Sequence, residues 1–103
     1  MKLTVPERYV LQGVLPAESS FVTMRLVKNL RDALALEEDE IKRLGVVIKG
    51  DQITWNAEVD GEGTEIQVGE LAGTIVRDAL RQMDKSNKLT VQHLTLYEKF
   101  LGA

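Results

Sequence analysis

A chain of 103 residues with 44% hydrophobic and 28% charged residues has the length and composition of one globular domain. It contains no cysteine and one histidine, which excludes disulfides, thiolate or histidine-rich metal sites and a cysteine nucleophile. The net charge of −3 disfavours indiscriminate binding to polyanions, and no stretch approaches the roughly 20 apolar residues of a membrane span. We therefore expect a cytoplasmic protein that uses neither a membrane nor a cofactor.

A short first helix is predicted from residue 5 onwards. Thr4 and Glu7 have the spacing of a capping box, and Pro6 lies in the first turn, where its missing N–H is harmless. The residue before a proline avoids the helical backbone region, so the helix should end before Pro16.

Residues 19–35 carry the longest helical periodicity, and we expect the other elements to pack around them. Ser19 or Ser20 is the expected cap. The apolar residues recur at steps of three and four and form one stripe, which consists of Phe21, Val22, Met24, Leu26, Val27, Leu30, Ala33 and Leu34. A third helix is predicted over residues 36–44, because acidic residues fill its first turn, basic residues fill its last turn and Gly45 stops it.

The periodicity changes to two after residue 45, which indicates strands. A hairpin is predicted around residues 49–52, with Ile48, Ile53 and Trp55 on its buried face. Residues 58–64 are expected to form a solvated turn, and residues 64–68 a third strand that returns along the hairpin. Further helices are predicted over residues 71–83 and, after a cap at Thr90, over residues 91–101.

These elements predict an α+β fold. About five helices pack with a small antiparallel β-meander of two or three strands. One domain covers residues 1–103.

The sequence offers little that supports catalysis. His93 is predicted to lie in the first turn of an exposed helix, where it has no catalytic partner. The acidic residues 37–40 and the carboxylates Asp60, Glu62 and Glu65 do not follow the order of a calcium loop, which needs a glycine at its sixth position. We predict neither an enzyme nor a metal site.

The order of three helices and a hairpin resembles that of a winged helix-turn-helix domain, which binds DNA. The basic residues Arg25, Lys28 and Arg31 of the central helix are candidate phosphate contacts. The acidic start of the third helix opposes such binding. Residues 46–70 oppose it as well, because their one lysine and six carboxylates give this segment a net charge of −5. A nucleic-acid-binding regulator is therefore the alternative to a protein-binding function.

Self-association is predicted from the number of apolar stripes. Four helices and the hairpin each present apolar residues, and one small sheet cannot cover all of them. An apolar patch should therefore remain exposed and form an interface, for which a twofold dimer is the commonest closed solution. The candidate contacts are Tyr97, Phe100 and Leu101, at the aromatic end of the last helix.

Five segments of the chain carry a family resemblance: residues 3–8 (LTVPER), 14–16 (VLP), 21–31 (FVTMRLVKNLR), 52–56 (QITWN) and 88–100 (KLTVQHLTLYEKF). Together they resemble a family of small uncharacterised proteins of tailed bacteriophages and prophages. The resemblance implies a phage-encoded accessory protein in the host cytoplasm and brings no catalytic residues. The expected function is that of a small acidic interaction protein that associates with itself and binds another phage or host protein.

Overall fold

Capping residues set the bounds of the helices. In the computed structural model, which describes residues 1–102, Thr4 and Glu7 each accept a hydrogen bond from the other's backbone N–H, so the first helix begins where predicted. Ser20 accepts a hydrogen bond from Thr23 N–H and caps the second helix, and Gly45, in the left-handed conformation, ends the third. The helices are α1 (Val5–Val14), α2 (Phe21–Leu34), α3 (Glu38–Leu44), α4 (Ala57–Asp60), α5 (Glu70–Lys85) and α6 (Leu94–Leu101), which a 3₁₀ turn (Val91–His93) precedes.

Within residues 1–102, four short strands form two separate antiparallel pairs. Strand β2 (Val47–Lys49) pairs with β3 (Gln52–Thr54), which confirms the predicted hairpin. Strand β4 (Thr64–Glu65) pairs with β1 (Lys2–Leu3), so the prediction that it returns along the hairpin is wrong. The α+β class is confirmed.

Gly63 explains the pairing of β4 with β1. Its φ of +106° lies in the region that favours glycine, and a Cβ atom there would lie 2.3 Å from the carbonyl carbon of Leu3. Glycine therefore lets the backbone of the preceding turn approach β1 closely enough for pairing to begin one residue later.

The hydrophobic core lies between α1, α2, α5 and α6. Its buried members are Leu3, Leu11, Val14, Leu15, Val27, Leu30, Leu34, Ile66, Val76, Leu80, Leu96 and Phe100. No residue of the β2–β3 hairpin belongs to this set. The core accounts for only part of the predicted α2 stripe, because Phe21 and Val22 are exposed. None of the helices within residues 1–102 is both long and apolar enough to cross a membrane.

Residues 58–64 differ from the predicted solvated turn. They include the end of α4, and Asp60 at its last position is buried. The Oδ2 atom of Asp60 accepts a hydrogen bond of 2.9 Å from Val5 N–H, one of the backbone donors that the first turn of a helix leaves free. Asp60 thereby holds the turn against the start of α1.

Leu30 tests the position of the core. It is 4% exposed, so Leu30→Ala should lower the free energy of unfolding by about 2–5 kcal/mol through lost burial and a residual cavity. Leu71→Ala is the matched control, because Leu71 is 66% exposed and its change should stay within about 0.5 kcal/mol. Urea denaturation measures both, and equal losses in the two variants would contradict this core.

Candidate interaction surface

A buried arginine joins the first three helices. Arg8 of α1 is 2% exposed; its Nε donates to the Leu34 carbonyl at 2.9 Å and its Nη2 to the Ala35 carbonyl at 2.8 Å. Both carbonyls belong to the end of α2, where the helix offers them no N–H partner. The guanidinium also donates to both carboxylate oxygens of Glu40, at 2.6 and 3.3 Å. One side chain therefore caps α2 and attaches α3 to α1.

A second ion pair attaches α6 to α1. Lys99 Nζ lies 2.5 Å from Glu7 Oε1 and also donates to the Lys2 carbonyl at 2.8 Å. Burial by itself raises the pKa of Glu7, but hydrogen bonds from Lys99 and from the Thr4 backbone outweigh it, so the pKa is lowered. Hydrogen bonding by Arg8 lowers the pKa of Glu40 against a smaller opposing effect of burial. Both carboxylates are therefore ionised at neutral pH.

Helix α3 holds the hairpin at both of its ends. Val46 N–H donates to the Ile41 carbonyl at 3.0 Å, and Asn56 N–H donates to the Leu44 carbonyl at 2.7 Å. Because Glu40 attaches α3 to Arg8, the position of the hairpin depends on the buried guanidinium.

The hairpin lies beside α1 without entering the core. Ile48 and Ile53 are cross-strand partners on one face, and Trp55, the residue after β3, lines the same cavity as Ile53. Ile48 is 65% exposed, whereas Ile53 and Trp55 are partly buried. The prediction that these three residues form a buried face is therefore wrong for Ile48 and only partly met by the other two.

Open space separates the hairpin from α1 on both sides of Tyr9. A cavity of about 530 Å³ is lined by Tyr9, Ile53, Trp55 and Val91, among others, and a second of about 270 Å³ by Tyr9 and Ile48, among others. We call these five residues, Tyr9, Ile48, Ile53, Trp55 and Val91, the hairpin surface. It combines exposed apolar side chains with space that the chain itself does not fill.

The backbone of Ile48 faces outward from the hairpin. Lys49 and Gln52 flank a two-residue turn and therefore form a hydrogen-bonded pair, which makes the adjacent Ile48–Ile53 pair a non-hydrogen-bonded one. In such a pair the N–H and C=O groups point away from the neighbouring strand. Within residues 1–102, no backbone hydrogen bond joins Ile48 to a residue outside the hairpin. The outer edge of β2 is thus open at Ile48.

The chain exposes more surface than a compact monomer of its mass. It exposes 6960 Å², whereas a compact protein of 11.5 kDa exposes about 5,800 Å². Its radius of gyration is 13.9 Å, against about 12.8 Å for a compact chain of this length. The excess of roughly 1,200 Å² exceeds the 800 Å² or so that each partner contributes to a standard interface.

The predicted self-association residues lie largely inside the chain's own core. Phe100 is 7% exposed, and Tyr97 and Leu101 are partly buried against the core. The packing of α6 against α5 covers the stripe that the sequence suggested would be free. The three residues therefore offer little surface to a second copy while α6 stays in place.

The predicted phosphate contacts lie along α2. Arg25 and Lys28 are exposed and Arg31 is partly buried. The Arg25 guanidinium carbon lies 5.9 Å from the centre of the Phe21 ring, and Lys28 Nζ lies 2.9 Å from Asp32 Oδ2. The Asp32 carboxylate therefore pairs with Lys28, the middle one of the three basic residues, and weakens the attraction of this basic row for phosphate.

The charged side chains of one cleft form ion pairs, and the single histidine accepts a capping hydrogen bond. A cleft of about 590 Å³ beside Glu7 has Lys2, Glu62 and Lys99 among its lining residues, and its two lysines pair with Glu62 and Glu7. His93 Nδ1 accepts a hydrogen bond of 2.9 Å from Thr90 N–H. Within residues 1–102, no group of three histidine, aspartate or glutamate side chains is arranged to hold a metal ion.

No family model, no curated protein and no solved structure matches this chain. The phage resemblance therefore remains an inference from the sequence.

Glu40 tests the attachment of α3. Glu40→Gln removes the charge that faces buried Arg8, so the free energy of unfolding should fall by about 1–3 kcal/mol. Glu38→Gln, on the same helix, is the matched control, because the Glu38 carboxylate is exposed and its loss should change stability by less than about 0.5 kcal/mol. Equal effects of the two substitutions in urea denaturation would show that the Arg8–Glu40 pair does not hold α3.

The same variants predict a pH dependence. The pKa values of Glu7 and Glu40 are lowered in the folded state. Their ionised carboxylates therefore contribute to the free energy of unfolding above the ordinary pKa of 4.5, and this contribution is lost as the pH falls through the lowered pKa values. The free energy of unfolding should therefore decrease as the pH is lowered below about 4.5. Glu40→Gln should make this decrease smaller than in the wild type, whereas an unchanged slope would argue against the lowered pKa of Glu40.

Proposed function

We propose that the protein is a small, acidic, non-enzymatic interaction protein, encoded by a phage, that binds a polypeptide partner at the hairpin surface. The partner is a second copy of the chain or another phage or host protein. The observation that carries the proposal is the open edge of β2 at Ile48, beside apolar side chains that the core does not use.

The chemistry of the edge favours an extended peptide segment as its occupant. An exposed strand edge presents unpaired N–H and C=O groups, and an added strand satisfies them while its alternate side chains enter neighbouring pockets. Here the cavity that Ile48 itself lines also has Tyr9, Ile41 and Val46 among its lining residues. A two-stranded hairpin is marginal by itself, so an added strand also stabilises it.

The charge of the hairpin favours an uncharged, apolar segment. Residues 47–54 contain one lysine and one aspartate, so their net charge is zero in a protein that carries −3. Burying this surface therefore removes few charged groups from water. β-Branched residues suit the occupant, because they pack well against a pleated, half-buried surface.

One observation favours nucleic-acid binding as the alternative function: the order of α1, α2, α3 and the hairpin resembles that of a winged helix-turn-helix domain. Against it stand the acidic first turn of α3, the neutral hairpin and the Lys28–Asp32 pair within the basic row. If the alternative holds, duplex DNA binds at low salt with an affinity that falls steeply as salt rises, and alanine at Arg25 and Lys28 weakens it.

Site-specific photo-crosslinking tests the proposal in the cells that make the protein. A photoreactive phenylalanine analogue replaces Ile48 in one variant and Phe21 in the control, which is 77% exposed but lies at the start of α2. We expect protein adducts from position 48 and few from position 21, since only the first lies on the hairpin surface. The absence of adducts at position 48, or equal yields at both positions, would contradict the proposal.

A further inference from the structure

We infer that the partner at the hairpin surface is a second copy of this chain, whose β2 pairs antiparallel with the first β2 about a twofold axis at Ile48. The inference rests on the proposed function and names its partner. The two hairpins then form one four-stranded sheet in the order β3, β2, β2, β3.

The backbone pattern selects Ile48 as the centre of the pairing. Its N–H and C=O groups are directed away from β3, and the flanking residues Val47 and Lys49 direct theirs toward β3. A twofold axis at Ile48 lets each Ile48 N–H donate to the Ile48 carbonyl of the other copy. One reciprocal pair of hydrogen bonds thus satisfies both open edges, as a self-complementary twofold interface requires.

The side chains support the same register. Ile48 and Ile53 lie opposite each other on one face of the hairpin. In the four-stranded sheet this face carries a continuous row of four isoleucines, Ile53, Ile48, Ile48 and Ile53, with one pair from each copy. Cross-strand pairs of β-branched residues stabilise a sheet, and the new central pair covers Ile48, which is 65% exposed in the single chain.

The charges of β2 permit this register. Pairing Ile48 with Ile48 places each Lys49 opposite the uncharged Val47 of the second copy. No pair of like charges therefore lies directly opposite across the two β2 strands.

The exposed area is sufficient for such a dimer. The chain exposes roughly 1,200 Å² more than a compact monomer, and a standard interface takes about 800 Å² from each partner. The hairpin surface is available for it, because the hairpin contributes no residue to the core.

Single cysteines test the register directly, since the chain has no cysteine of its own. Opposed Ile48 residues would have Cα atoms about 5.5 Å apart, within the range that a disulfide spans. Val47 residues would lie about 8 Å apart, beyond that range. Under mild oxidation we expect Ile48→Cys to form a covalent dimer and Val47→Cys, the adjacent control, to remain uncrosslinked.

Light scattering on the purified wild-type chain measures the association itself. We expect a mass twice 11.5 kDa. Ile48→Pro should return the mass to that of one chain, because proline removes the outward N–H without touching the bonds to β3.

A single-chain mass at every concentration, or a dimer in which Val47→Cys crosslinks as well as Ile48→Cys, would overturn the inference. The proposed function fails separately, through the photo-crosslinking result. Adducts at position 48 with a protein of another mass would retain that function and remove the second copy as the partner.

Discussion

The hydrogen bonds of the Arg8 guanidinium are the constraint on which the rest of the arrangement depends. A buried charge is costly unless its donors are satisfied, and Arg8 satisfies them with two carbonyls at the end of α2 and with the Glu40 carboxylate. These bonds fix the ends of three helices with one side chain. Because α3 then holds both ends of the hairpin, a charge buried in α1 determines where an exposed surface lies.

Some apolar residues of the chain form the core, and others, on and after the hairpin strands, lie outside it. The core takes one side of α1, α2, α5 and α6 together with β1, and it is closed without the hairpin. Ile48, Ile53 and Trp55 would be expected to join a core if burial within the monomer were their role. Instead they remain beside open space at the edge of a short strand. A surface of this kind gains stability only when a partner covers it, which links the fold to the proposed function.

The sequence predicts the parts of the fold that depend on neighbouring residues. Caps at Thr4, Ser20 and Gly45 act within one helical turn, so the pattern located them. The partner of β4 depends on a contact between residues about 60 positions apart, which no local period contains. Period-two alternation correctly predicts that Ile48 and Ile53 share one face of the hairpin. It does not predict whether α1 covers that face. A signal for Arg8 was present, since it lies three residues from both Val5 and Leu11, on the buried side of α1.

Amide hydrogen exchange at Ile48 tests the link between the open edge and association most directly. If two copies pair through β2, exchange of the Ile48 amide slows as protein concentration rises, because the β2 strand of the second copy then accepts a hydrogen bond from this amide. The Ile53 amide, which points outward from the opposite edge of the same hairpin, should keep its rate. An exchange rate of the Ile48 amide that is independent of protein concentration, or equal slowing at both amides, would contradict association through β2.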